Sequence, residues 1–152
     1  GLDILSQEYR LRMIVARLVD AGIMTSVFID PDLRQVEAAA RIGARVCELH
    51  TGPYAHAFYE RGRDPRSPAV VDELEKLRRA GEAVVGHGMR FNAGHALTYF
   101  NVQPVAALPQ VRELHIGHAI VSRSVFIGMR EAVREMKRLM REAAAHAHPS
   151  HP

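Results

Sequence analysis

The stretch Val46-Cys47-Glu48-Leu49-His50-Thr51-Gly52 decides the fold class. A short apolar run stops at polar, backbone-permissive residues, the pattern of a buried strand that gives way to a loop. The same pattern returns in Met89-Arg90-Phe91-Asn92-Ala93-Gly94-His95 and in Leu114-His115-Ile116-Gly117-His118, with helix-forming sequence soon after each run. Repeated βα units place such residues at the carboxyl edge of a parallel sheet, where α/β proteins build their sites. Their repetition predicts one shared pocket for a small, anionic ligand.

Outward from these runs, the rest of the chain fits the same alternation. Leu11, Ile14, Val15, Leu18 and Val19 recur at helical spacing and predict a helix over 6–21, with Ser6 as N-cap and Gly22 as stop. Thr25-Ser26-Val27-Phe28-Ile29 reads as a strand closed by Asp30-Pro31. Asp32 can cap a second helix that ends at Gly43. Residues 53–66 read as a long loop with at most a helical turn, and Ser67-Pro68 as the start of a helix that continues through Gly81 to about His87. A strand at 89–92, a short helical piece at 102–108 and a strand at 113–116 follow. Beyond Gly117 the chain is helical again, with Ile127, Val133, Met136, Leu139 and Met140 marking the inner face of the last long helix. Residues 146–152 are expected to be a disordered tail beyond a single domain at 1–145. The order α-β-α-β-α-β-α-β-α calls for parallel strands and right-handed crossovers. A small open sheet and the four-stranded half of an eight-stranded barrel both satisfy it.

Composition narrows the function. The chain has 152 residues, room for one well-buried domain. Aromatics make up 6% and tryptophan is absent, which argues against a stacking platform for single-stranded nucleic acid. The net charge of +3 comes from scattered Arg and Lys, a balance that suits a phosphorylated metabolite but is no nucleic-acid footprint. The one cysteine, Cys47, lies in an apolar run and reads as a core residue in a reducing, cytoplasmic setting. No run is long enough to span a membrane. The first residue is Gly1 rather than methionine, as expected of a processed chain or of a piece of a longer polypeptide.

Three strand ends carry the candidate chemistry. Glu48 interrupts an apolar strand; burial of a carboxylate is costly unless it is paired or functional. It is either a catalytic group that moves protons or stabilises positive charge, or a salt-bridge partner of a neighbouring element. His95, after Asn92-Ala93-Gly94, suits proton donation near neutral pH, and equally suits an ordinary hydrogen-bonded strand end. Gly117-His118 opens onto helical sequence, where free N–H groups favour phosphate. His50, His95, His118 and Asp30 could instead be metal ligands, although no HxxxH, HxH or CxxC spacing supports this. Asp30 also reads as a turn-former, and Thr51-Gly52 as a plain turn.

Four ordered motifs go beyond a generic α/β pattern. Val27-Phe28-Ile29-Asp30-Pro31-Asp32, Glu48-Leu49-His50-Thr51-Gly52-Pro53-Tyr54-Ala55, Asn92-Ala93-Gly94-His95-Ala96-Leu97-Thr98-Tyr99 and Glu113-Leu114-His115-Ile116-Gly117-His118-Ala119-Ile120 closely resemble the pyridoxine 5′-phosphate synthase family of vitamin B6 biosynthesis. The resemblance runs from Gly1 to about Glu142 and covers the C-terminal part of the family's sequence. It implies a (β/α)8 TIM barrel of which these strands are the fifth to eighth, and Gly1-Leu2-Asp3 resembles the end of the mobile loop after the fourth strand. The family's N-terminal catalytic histidine, glutamate and substrate-binding arginines have no counterpart in this chain.

The activity implied is a transferase-type, ring-closing condensation of 3-amino-2-oxopropyl phosphate with 1-deoxy-D-xylulose 5-phosphate. It implies no metal and no organic cofactor, a homo-oligomer, and no nucleic-acid or membrane partner. By resemblance, Glu48 stabilises a charged transition state, His95 donates a proton, and Gly117 and His118 bind the phosphate of the deoxyxylulose-derived portion. Ala96 stands at a substrate-binding position that is usually glycine in the family, so a positive φ there would be disfavoured. The fragment alone is expected to be inactive. A non-catalytic phosphate-binding half-barrel and a metal-assisted hydrolase are the alternatives.

Overall fold

Four parallel strands lie side by side in chain order: β1 (Ser26–Ile29), β2 (Val46–His50), β3 (Arg90–Gly94) and β4 (Glu113–His115). The computed structural model describes residues 1–147. The helices are α1 (Glu8–Asp20), α2 (Leu33–Arg41), α3 (Gly52–Glu60), α4 (Pro68–Gly86), α5 (Val102–Ala106), α6 (His118–Ile127) and α7 (Met129–Ala147), with a 3-10 turn at Leu5–Gln7 before α1. Each crossover advances the sheet by one strand in the same direction. With the usual right-handed connection, this winding keeps the crossover helices on one side, as in half of a (β/α) barrel.

Register divides the sheet into two unlike faces. Val27, Cys47 and Phe91 form one row, and Ile29, Leu49, Ala93 and Leu114 the next. All but the half-buried Leu114 are buried, in a core shared with Val36, Leu77 and Val84 of the covering helices. The intervening rows, Phe28-Glu48-Asn92-Glu113 and His50-Gly94-His115, point the other way and are mostly polar. Cys47 belongs to the core as expected, and burial pushes its thiol up to about 12.

Gly81 shows why a poor helix former persists inside α4. A Cβ there would overlap the ring of Phe91, so the missing side chain lets the helix settle onto β3. Asp32 caps α2 as expected, its carboxylate accepting from the Arg34 amide at 2.9 Å, and Gly22 and Gly43 take positive φ just past α1 and α2.

Several boundaries differ from the sequence reading. Ser6 does not cap α1; it lies within the 3-10 turn, and its hydroxyl donates to the Asp3 carbonyl. Only Val15 of the five α1 positions is fully buried, and Ile14 and Val19 are exposed. The expected loop at 53–66 begins as helix α3. Pro53 sits in its first turn, where its missing N–H costs nothing, and Tyr54, Ala55 and Phe58 fill the inner face. Ser67 precedes α4 without a side-chain capping bond; Pro68 alone marks the start. The strand expected at 89–92 is shifted to end at Gly94. Gly128, at φ +82°, breaks the C-terminal helical region into α6 and α7, so Ile127 ends an earlier helix and is exposed. His146 and Ala147 belong to α7 rather than to a tail, and the rest of that expected tail lies outside the described residues.

Candidate active site

Because all four strands run in parallel, their carboxyl ends meet along one rim. A cleft of about 840 Å³ opens there, lined by Glu48, His95, Ala96, Gly117 and His118 together with Phe28 and His115. The five residues singled out from the sequence therefore share one cavity.

Glu48 leaves β2 on the polar face, with its side chain 18% exposed. Its Oε2 lies 2.6 Å from Nδ1 of His115, which belongs to β4, two strands away. The carboxylate reaches there by leaning across Gly94 of β3. A Cβ at position 94 would overlap Glu48 Oε1 and crowd the His115 backbone. A salt bridge to a neighbouring element is the alternative to a catalytic role; the partner here is His115, two strands away, and the pair lies inside the cleft. Gly94 serves here by its lack of bulk.

Backbone permissiveness is demanded one residue later. His95 has φ +85° and Ala96 φ +57°, two consecutive non-glycine residues in the left-handed region. Each such residue costs on the order of 1 kcal/mol, so neighbouring bonds must hold the turn. The single proton of the fully buried Thr51 hydroxyl is shared between the carbonyl oxygens of Gly94 and His95, and the Thr51 amide donates to the Gly94 carbonyl. Asn101, also fully buried, donates from Nδ2 to the Ala96 carbonyl at 3.2 Å and accepts from the Thr98 amide at 2.7 Å. The Asn101 carbonyl in turn accepts from the Tyr54 hydroxyl of α3 at 2.8 Å. Thr51 is therefore more than a plain turn: it fixes the backbone that presents His95.

The exposed His95 ring packs edge-on against His50, with centroids 4.8 Å apart, and lies 6.3 Å from the Phe28 ring. Nδ1 of His50 is 2.8 Å from Asp30 Oδ1. That hydrogen bond is the main reason the Asp30 carboxyl titrates below the usual aspartate range. Asp30 thus orients a histidine that flanks His95, a role that the turn-former reading did not include.

Gly117 and His118 sit at the start of α6, exposed to the cleft. No side chain caps this helix, and a Cβ on Gly117 would meet open space. The first amides of the helix, at His118 and the two residues after it, have no acceptor within the helix. An anion is favoured at such an end. Among the described residues, no three His, Cys, Asp or Glu side chains are grouped so as to hold a metal ion. His50, His95, His118 and Asp30 thus form no such group among the described residues.

The sequence reading assigned no role to His115, Asn101 or Phe28. His115 is visible within its motif, but its meeting with Glu48 depends on strand register and on the gap at Gly94. Asn101 acts through local bonds that no spacing reveals.

A family model described as pyridoxal phosphate biosynthesis protein PdxJ matches residues 1–142. Curated relatives named pyridoxine 5′-phosphate synthase are similar throughout this range. That of Aromatoleum aromaticum is 78% identical over 144 residues, which is 95% of this chain and 57% of the relative. That of Azoarcus sp. is 74% identical over 145 residues, 95% of this chain and 58% of the relative. That of Dechloromonas aromatica is 70% identical over 144 residues, 95% of this chain and 57% of the relative. The chain thus spans less than two thirds of the length of these relatives. With a match that covers nearly all of its residues, this chain belongs to the pyridoxal phosphate biosynthesis protein PdxJ family.

Proposed function

We propose that residues 1–145 form the C-terminal half of one (β/α)8 barrel domain that acts as a pyridoxine 5′-phosphate synthase. It condenses 3-amino-2-oxopropyl phosphate with 1-deoxy-D-xylulose 5-phosphate, giving pyridoxine 5′-phosphate, phosphate and water. The observation that carries this reading is the convergence of Glu48, His95, Ala96, Gly117 and His118 on one cleft at the strand ends. The relatives' name supplies the product, the family resemblance supplies the substrates, and the remainder of the barrel supplies the other acid–base groups.

The roles are those that the family resemblance implies, and the surroundings are compatible with them. His95 projects from a braced turn into the cleft and protonates a leaving hydroxyl during dehydration. Glu48, mostly shielded from water, stabilises positive charge that develops on the imine-bearing intermediate. The α6 amides, with Gly117 and His118, hold a substrate phosphate, and the Ala96 backbone contacts the same substrate. Holding two anchored carbon chains together lowers the entropic part of the ring-closing barrier. The enzyme works by acid–base catalysis without metal or organic cofactor, in the cytoplasm and as a homo-oligomer.

The test is His95→Ala in the complete barrel, reconstituted with the N-terminal portion that the relatives carry. Turnover is expected to fall by roughly 10²- to 10⁴-fold while substrate affinity changes little. Full turnover in this variant would overturn the assignment of His95. A reconstituted wild-type barrel that binds both phosphates yet forms no product would instead favour a binding module.

A further inference from the structure

We infer that His115 is the positioning residue for Glu48 in the synthase reaction. This inference rests on the function proposed above. His115 Nδ1 lies 2.6 Å from Glu48 Oε2, and its other ring nitrogen faces Glu113 Oε2 at 3.6 Å. The same Glu113 oxygen accepts from Asn92 Nδ2 at 3.0 Å. Asn92 is buried on β3 and Glu113 begins β4, so the imidazole is backed by two strands as it meets a side chain from a third.

Register produces this chain of contacts. Glu48, Asn92 and Glu113 occupy one row across the polar face, and Gly94 and His115 occupy the next row toward the cleft. Glu48 bends from its own row into the next one, over the gap at Gly94, to reach the imidazole. Oε2 is thereby set against His115 while Oε1 rests over Gly94, and the carboxylate lines the cleft. A carboxylate free to rotate would spread its charge over several directions; one held against an imidazole nitrogen at 2.6 Å is set before substrate arrives. His115 is itself 46% exposed and lines the cleft, so its ring is placed by the two carboxylates beside it rather than by burial.

The experiment uses the reconstituted barrel and three variants. His115→Leu removes the imidazole and is expected to lower kcat roughly 10- to 100-fold, the size of a lost polar contact with a charged group, with KM for both phosphates within about twofold. His115→Asn keeps an N–H donor and is expected to recover most of that loss. Gly94→Ala leaves the histidine intact but blocks the path of Glu48, and is expected to reproduce the kcat defect of His115→Leu. Unchanged kcat in His115→Leu, or no recovery in a folded His115→Asn, would overturn the inference. If His115→Leu fails to fold, His115→Asn and Gly94→Ala decide it between them: wild-type turnover in a folded Gly94→Ala would sink the idea. His95→Ala run beside them separates the two levels. An inactive His95→Ala with a fully active His115→Leu discards only the role of His115, whereas an inactive wild-type barrel discards the proposed reaction.

Discussion

The two faces of the sheet are built from alternate residues of the same strands, yet they answer to different demands. On the helix side, Val27, Ile29, Cys47, Leu49, Phe91 and Ala93 are apolar and buried, and each position is constrained by shape. On the other side, Glu48, His115, Glu113 and Asn92 form one chain of polar contacts and His50 pairs separately with Asp30, so each position is constrained by its polar partner. The period of a strand makes this separation possible: a change on one face need not be felt on the other. Stability and chemistry are thus assigned to opposite sides of one layer.

The largest effect that probes this division is expected from Phe91→Ala. Phe91 is almost fully buried against Gly81 and the core. Its truncation is expected to cost about 3–5 kcal/mol of unfolding free energy, measured by denaturant titration. A loss below about 1 kcal/mol would show that the helix side is not what holds the sheet. A smaller effect, of opposite sign, is expected at the rim. Ala96→Gly relieves a positive φ and is expected to stabilise by about 1 kcal/mol, seen as a higher urea midpoint. A lower midpoint would mean that the bonds from Thr51 and Asn101 already select this geometry at no cost.

The smallest effect concerns acid. Asp30 titrates below its ordinary range in the folded protein, chiefly through its bond to His50. Stability from this pair is therefore present above the unfolded aspartate value of about 3.9 and is lost as pH falls through the lower folded value. Because the Asp30 side chain is 57% exposed, His50→Ala is expected to cost no more than a few tenths of a kcal/mol at neutral pH. The gap between variant and wild type should close in acid melts as pH falls through the lowered folded value. A gap that widens there would assign the shift to another partner.

Much of the division was legible in the residues. Apolar positions 47 and 49 on either side of Glu48 announce a strand with one odd member, and Asp32, Gly22 and Gly43 mark their helix ends by ordinary capping chemistry. The five cleft residues were legible because parallel strands deliver their ends to one edge. What escaped was either ambiguous locally or made by packing. Gly52-Pro53 reads as a breaker, but proline in a first turn starts a helix, and only the buried spacing of Tyr54 and Phe58 distinguishes the cases. Gly128 separates two helices because of its positive φ, whereas Gly81, the same residue type, continues one because Phe91 needs the space. The bond between Glu48 and His115 joins residues far apart in sequence and on strands that do not touch, so no local pattern contains it.

That bond also fixes how long the acidic side chain must be. Neighbouring strands are about 4.8 Å apart, so a group on β2 that meets one on β4 must cover ground that the intervening strand would normally occupy. Glutamate, lying flat over a residue without a side chain, is long enough to meet an imidazole coming from the far side. An aspartate at position 48 would stop about 1.5 Å short, the length of one carbon–carbon bond, and its charge would hang over Gly94 with nothing to hold it.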